Sequence, residues 1–282
     1  MSLAAGRPTT VARQNGSMVE IAVAQFCSGT DKHENLAAVR NLVGEAAARG
    51  AQVVIAPEYA MYTGARVDEQ LVTSAEPLDG PFVTGMLGIA SEFGVHVVVG
   101  VNESLPGDDH VSNTLVAAAP DGTIAAVYRK IHLYDAFGYR ESDVIRAGEI
   151  TAPATFTVDD LTFGMQTCYD LRFPEVTRRI VDAGAEVLAL PAQWVPGPLK
   201  EDHWTTLVRA RAIENTMYVA AADQSARGGS GNSMIVDPMG VVLASLGEQV
   251  GTARAEVSAA RIAEARAKNP ALDLRRFDVV ER

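Results

Sequence analysis

Cysteine is scarce in this chain: two residues, Cys27 and Cys168, in a total of 282. That scarcity excludes a disulfide-stapled scaffold. A chain of this length buries a core without cross-links, so a reducing, cytoplasmic compartment is the expectation. Positive charge is also short. Against 35 Asp and Glu stand 24 Lys and Arg, a formal net charge of −11. Such a surface repels phosphate backbones and anionic bilayers, so neither nucleic acid nor a membrane is expected as a partner. No apolar run approaches the length that crosses a bilayer. Residues 1–17, MSLAAGRPTTVARQNGS, lack the continuous apolar core of a signal peptide. They read as a flexible leader or expression remnant, with Met18 as the native start and residues 18–282 as one domain. The five histidines (His33, His96, His110, His132 and His203) have no short ligand spacing, so no metal site is expected. GGSGNS around Gly231 lacks the lysine and helix of a phosphate-binding loop and reads as a turn.

What is present is a repeated grammar. Short apolar runs alternate with amphipathic helical patterns from Val19 onward. VEIAVAQF reads as a strand, and Leu36, Val39, Leu42, Val43 and Ala46 then recur at helical spacing. AQVVIAPE is a second strand, GPFVTGMLGIASEFG a helix, VHVVVGV a third strand, and NTLVAAAPDGTIAAVYRK a hairpin about Asp121 and Gly122. The second half repeats the order. LTFGMQTC is a strand and FPEVTRRIVDAGA a helix, with Pro174 in its first turn. EVLALPAQW, EDHWTTLVRARAIEN, MYVAAADQ and the hairpin NSMIVDPMGVVLAS follow. Two sheets related by a pseudo-twofold, packed face to face with helices outside, fit this echo, because nearly all-apolar strands need both faces covered. The polar segment from Ala260 to the C-terminus reads as a helix and a tail reaching across a neighbouring subunit.

Three strand ends carry unusual residues: Glu58 in VVIAPEY, Lys130 in AAVYRKIHL and Cys168 in FGMQTCYD. Reactive groups collect where α/β strands end. Taken singly, each has an ordinary reading. A free cysteine packs as a small hydrophobe, a glutamate after a strand caps or is solvated, and a lysine decorates the surface. Together they form a working set. A thiol attacks as thiolate and needs a base or a cation nearby. Glu58 serves as the base once burial raises its pKa. Lys130 steadies the thiolate and then an oxyanion, helped by backbone N–H groups just after Cys168. The rival is a cysteine–histidine pair using His132 or His203, but neither lies in a cysteine-protease context. Arg172, four residues beyond Cys168, forks onto a substrate carboxylate or else holds its own loop through Asp170 or Glu175. Trp194 forms a pocket wall or else is a core or dimer-contact aromatic, and Tyr169, next to the nucleophile, is a further candidate for substrate binding.

APEY, YRKIHLYD and TCYDLRFPE resemble, in order and spacing, the three signatures of the nitrilase, or carbon–nitrogen hydrolase, superfamily. The resemblance extends from Val19 to Phe277 and includes RARAIENTMYVAAADQ and GNSMIVDPMG. It implies a four-layer α-β-β-α sandwich, with Glu58 as general base, Lys130 at the oxyanion and Cys168 as nucleophile. It also implies Glu141, in GYRESD, as a second glutamate that orients Lys130 or the amide. The implied reaction is amide hydrolysis through a thioester, without metal or organic cofactor, by a homodimer or larger homo-oligomer. Within the superfamily the chain is most similar to bacterial deaminated glutathione amidases, and Pro196 stands where a basic pocket-edge residue is expected. An ω-amidase or another aliphatic amidase is the alternative, and a non-catalytic binding scaffold is the alternative of a different class.

Overall fold

The structure, a computed structural model, describes residues 17–226 and 228–281. The leader read over residues 1–17 therefore falls, apart from Ser17, outside the described residues. Among the described residues, twelve strands and six α-helices follow one another. The first half holds β1 (Met18–Gln25), α1 (Lys32–Ala48), β2 (Val53–Ile55), α2 (Glu69–Ser74), α3 (Pro81–Phe93), β3 (His96–Ser104), β4 (Val111–Ala118) and β5 (Ile124–Arg129). The second holds β6 (Thr155–Val158), β7 (Leu161–Met165), α4 (Pro174–Asp182), β8 (Val187–Ala192), α5 (Lys200–Asn215), β9 (Tyr218–Asp223), β10 (Met234–Val236), β11 (Val242–Ser245), β12 (Gly251–Ser258) and α6 (Ala259–Lys268).

The strands form two six-stranded sheets, ordered β12-β1-β2-β3-β4-β5 and β11-β10-β9-β8-β7-β6. In each, three central strands run parallel and antiparallel strands flank them. Strand periodicity explains the layering. In β1, Ile21 and Val23 point inward to meet Phe163, Met165 and Val187 of the other sheet. Ala22 and Ala24, one residue out of phase, face outward onto Val39, Leu42 and Met86 of α1 and α3. The other sheet turns Leu188 and Leu190 onto Ile180 of α4 and Trp204 and Val208 of α5. The result is the expected α-β-β-α sandwich, with the two halves repeating one element order.

Three elements escape the apolar pattern. β12 alternates Thr252, Arg254 and Glu256 with Ala253, Ala255 and Val257. It lies on the edge of the first sheet, pairing antiparallel with β1. Its polar face is half-exposed, so it carries no apolar run to read. β6 plays the same edge role in the second sheet, and α2 is a six-residue helix capped by Asp68. The polar tail also makes contacts within its own chain. Arg275 pairs with Asp182 of α4 at 2.6 Å, and Arg179 of α4 reaches Glu281 at 3.4 Å.

Candidate active site

Five strand ends converge between the sheets. β2 runs out at Ile55, three residues before Glu58, and β5 at Arg129, just before Lys130. β7 ends at Met165, ahead of Cys168, β8 at Ala192, ahead of Gln193, and β9 at Asp223. The chain can pass close behind Glu58 because Gly100 of β3 has no side chain. A Cβ there would lie 2.6 Å from the Glu58 Cα.

The sequence-selected set comes together around one buried ammonium. Lys130 Nζ lies 2.9 Å from Glu58 Oε1 and 3.0 Å from Glu141 Oε2, and all three residues are buried. Burial works against the ammonium, but the charges of Glu141 and Glu58 outweigh it and hold the Lys130 pKa well above its ordinary value. Burial likewise pushes Glu141 up, yet Lys130, the Tyr59 hydroxyl and the Tyr134 and Asn113 N–H groups keep it below the usual carboxylate range. Glu58 has three donors in hand: Lys130, the Asn113 side-chain amide at 2.7 Å and the Gln193 backbone N–H at 2.6 Å.

Cys168 completes the group. It opens a 3-10 turn, Cys168–Arg172, with a left-handed φ of 44°. A non-glycine residue in that region stores strain that the surroundings must hold. Asp170 supplies part of the restraint. Its carboxylate accepts the Thr167 N–H, the Tyr128 hydroxyl and the His132 N–H. The thiol donates to the Gln193 carbonyl at 3.5 Å, with the Glu58 carboxylate close enough for its charge to act on the sulfur. Burial, then the Glu58 charge, push its pKa well above the ordinary thiol value, with Lys130 pulling the other way. The resting sulfur is therefore a protonated thiol with a carboxylate beside it. Glu58, Lys130, Glu141, Cys168, Cys27 and Tyr139 are among the residues lining one cavity of about 1030 Å³.

The remaining candidates divide. Tyr169, Arg172 and Trp194 line a small recess beside Cys168. Arg172 does not hold its loop through Asp170 or Glu175; its guanidinium lies over the Trp194 ring, 4.7 Å from the centroid. His132 bonds to Asp170 through Nδ1 at 2.9 Å and stacks on Phe173, and His203 Nδ1 is 3.4 Å from Arg172. Both histidines are thus engaged away from the thiol. Asp108, Asp109 and His110 are the one metal-compatible cluster among the described residues. Asp108 there is paired bidentately with Arg146.

Sequence reasoning missed several members of the site. Tyr59 donates to Glu141 at 2.6 Å, Asn113 bridges Glu58 and Glu141, and Asp223 accepts the Trp194 N–H at 2.7 Å. Asn113 carried a readable signal, an amide inside the apolar strand β4. Tyr59, adjacent to Glu58, and Asp223, at a strand end, were visible only as neighbours of better-marked residues.

Chains of this architecture with a thiol, two carboxylates and a lysine at the strand ends form a recognisable class. The family description "Carbon-nitrogen hydrolase" matches residues 20–267, and the chain belongs to that family. It is therefore a hydrolase of carbon–nitrogen bonds other than peptide bonds. A hydrolase of Mycobacterium tuberculosis is 40% identical over 88% of this chain and 92% of its own length. Deaminated glutathione amidase of Escherichia coli O157:H7 is 36% identical over 91% of this chain and 97% of its own. Among solved structures, the C. elegans NitFhit protein superposes with a TM-score of 0.82 at 31% identity, covering 92% of this chain. This chain spans 65% of that longer protein.

Proposed function

We propose that the protein hydrolyses a linear amide to a carboxylic acid and an amine (ammonia where the amide is primary) through a thioester on Cys168, with deaminated glutathione, whose amides are secondary, as the leading substrate. The observation that carries this reading is the meeting of Cys168, Glu58 and Lys130 on the wall of one large cavity, with the Lys130 ammonium paired to Glu58 and the Glu58 charge acting on the thiol. The thiol attacks the amide carbonyl as Glu58 takes its proton, so thiolate forms only as the C–S bond forms. Lys130, fixed between Glu58 and Glu141, faces the developing oxyanion, aided by backbone N–H groups after Cys168. Glu58 returns the proton to the leaving nitrogen, and the amine departs. Water, deprotonated by Glu58, then attacks the thioester; the C–S bond breaks, the acid leaves and the thiol is restored. Tyr169, Arg172 and Trp194 contact the substrate. The E. coli relative's name supports the choice of substrate.

A cytoplasmic homo-oligomer belongs to the same reading. A reduced thiol suits that compartment, and Met239, Val241, Val242 and Leu243 present an exposed apolar strip for a second copy. The test is cysteinylglycine release from deaminated glutathione and ammonia release from α-ketoglutaramate and simple aliphatic amides, with Cys168→Ala as the control. Turnover of deaminated glutathione, with an acyl adduct on Cys168 by mass spectrometry, is expected. Preference for α-ketoglutaramate would move the reading to an ω-amidase. A wild-type protein that releases neither cysteinylglycine nor ammonia and forms no adduct would leave a binding scaffold.

A further inference from the structure

One buried carboxylate beside the site takes no part in the hydrolysis. Asp223, the last residue of β9, is fully buried, and among the described residues no cation pairs with it. Its Oδ1 accepts the backbone N–H groups of Trp194 at 2.7 Å and Gln224 at 2.9 Å. Its Oδ2 accepts the Ser230 N–H at 2.9 Å and the Ser230 hydroxyl at 2.8 Å. Gly229 makes room for this cradle. A Cβ there would lie 2.7 Å from Oδ1 and 2.6 Å from the Gln224 carbonyl oxygen. A carboxylate is costly to bury without partners, and burial pushes the Asp223 pKa well up, against the four donors. Three of those donors are N–H groups, which cannot take a proton, so the cradle fits the carboxylate and not the acid.

What the carboxylate grips is the peptide group that joins base to nucleophile. The Trp194 N–H belongs to the same peptide as the Gln193 carbonyl, and that carbonyl accepts the Cys168 thiol at 3.5 Å. At the other end of the residue, the Gln193 N–H donates to Glu58 Oε2 at 2.6 Å. Gln193 therefore spans Glu58 and Cys168 with its own two backbone groups, and Asp223 fixes the far side of that span. Gln224 repeats the hold from the next position. Its backbone N–H reaches the Ala192 carbonyl at 3.2 Å, and its side-chain amide donates to the Glu58 carbonyl at 3.0 Å. The end of β9 thus ties down the residues that follow β2 and β8. Charge matters as well as place. A hydrogen bond to an anion is roughly twice as strong as a neutral one, and linked hydrogen bonds polarise one another. A carboxylate on the N–H side of the Gln193–Trp194 peptide makes its carbonyl a stronger acceptor for the thiol proton.

We propose that Asp223 is a positioning residue of the active site, which clamps the Gln193–Trp194 peptide so that Glu58 and Cys168 keep their mutual geometry, and strengthens the Gln193 carbonyl as acceptor for the thiol proton. It touches neither the substrate nor the reacting atoms. Two variants separate its place from its charge. Asp223→Asn keeps the size and removes the charge. Gly229→Ala keeps the charge and crowds Oδ1 against its donors. Glu58, Lys130 and Glu141, the charges that act on the thiol, are unchanged in both.

This role rests on the amide-hydrolysis reading, and one arm of its test needs no turnover. With deaminated glutathione or α-ketoglutaramate, each variant is expected to lower kcat about tenfold with a smaller change in KM, as a misplaced catalytic pair does. In the Cys27→Ser background, iodoacetamide labelling of Cys168 is followed against pH. The Asp223→Asn profile is expected to move to lower pH by about half a unit, because the thiol loses a strengthened acceptor and a nearby negative charge. The Gly229→Ala profile moves less, since the charge stays. The position of such a profile does not depend on how much protein is folded. An Asp223→Asn protein that does not fold leaves Gly229→Ala to decide, on kcat in protein with wild-type circular dichroism. Wild-type kcat in both variants would overturn the clamp. A loss of kcat with an unmoved Asp223→Asn profile would reduce Asp223 to a part of the fold. A shifted profile, with no turnover of any amide by the wild-type protein, would keep the role of Asp223 and overturn the hydrolysis.

Discussion

At the scale of single residues, the most informative property is the protonation of Cys168. A cysteine beside a lysine invites the reading of a preformed thiolate. The geometry says otherwise, because burial and the Glu58 carboxylate together outweigh Lys130 and raise the thiol pKa. The sign of the resulting pH dependence follows directly. Alkylating agents capture thiolate, so a raised pKa moves the profile to higher pH. With the exposed Cys27 replaced by serine, the iodoacetamide rate at Cys168 is expected to keep climbing beyond about pH 9, the region of an ordinary thiol. Glu58→Gln removes the largest electrostatic cause after burial, so the profile shifts to lower pH even as amide hydrolysis disappears. Mass-resolved labelling across pH 6–10 reads both; a plateau below about pH 8 in the Cys27→Ser protein would refute the neutral thiol.

At the scale of elements, the site is an arrangement of strand ends, and small changes behind those ends matter more than changes within the strands. Gly100 is the clearest case. Its Cα hydrogen faces the backbone of Glu58 and Tyr59, and a methyl group would sit 2.6–2.7 Å from them. Gly100→Ala should push Glu58 away from Lys130 and Cys168 while β3 keeps its ladder. Misplacing a catalytic group by about 1 Å costs roughly 10²-fold. A fall of that order in kcat, with circular dichroism unchanged, is expected; wild-type kcat in Gly100→Ala would show that Glu58 tolerates displacement. The same scale explains what was legible beforehand. Glu58, Lys130 and Cys168 each follow an apolar run abruptly, so strand ends advertised them. Asn113 was not advertised in that way, because it hides inside a strand. Its role depends on Glu58 and Glu141 arriving from distant segments, and no local pattern records that meeting.

At the scale of the whole molecule, the doubled grammar made the sandwich readable, since short, nearly all-apolar runs between amphipathic helices leave few other arrangements. The closing strands were not readable. β12 returns from the end of the chain to pair with β1, a contact set by edge hydrogen bonding and only partly by burial. That crossover has an energetic consequence. The middle core is built from both sheets, with Ile21, Val23 and Ile55 against Phe163, Met165 and Val187, so neither half keeps its inner face covered alone. Unfolding should therefore be one cooperative event despite the internal repeat. The two tryptophans make this measurable. Trp194 and Trp204 both lie in the outer core of the second sheet, so fluorescence reports that half while far-ultraviolet circular dichroism reports both. Urea curves from the two probes are expected to coincide. Phe163→Ala should move them together to lower urea, by about 3–5 kcal/mol. Separated midpoints in the wild-type protein, or a Phe163→Ala shift confined to the fluorescence curve, would show two independently stable halves. Coincident curves would mean that every strand end of the site is held by one folding unit.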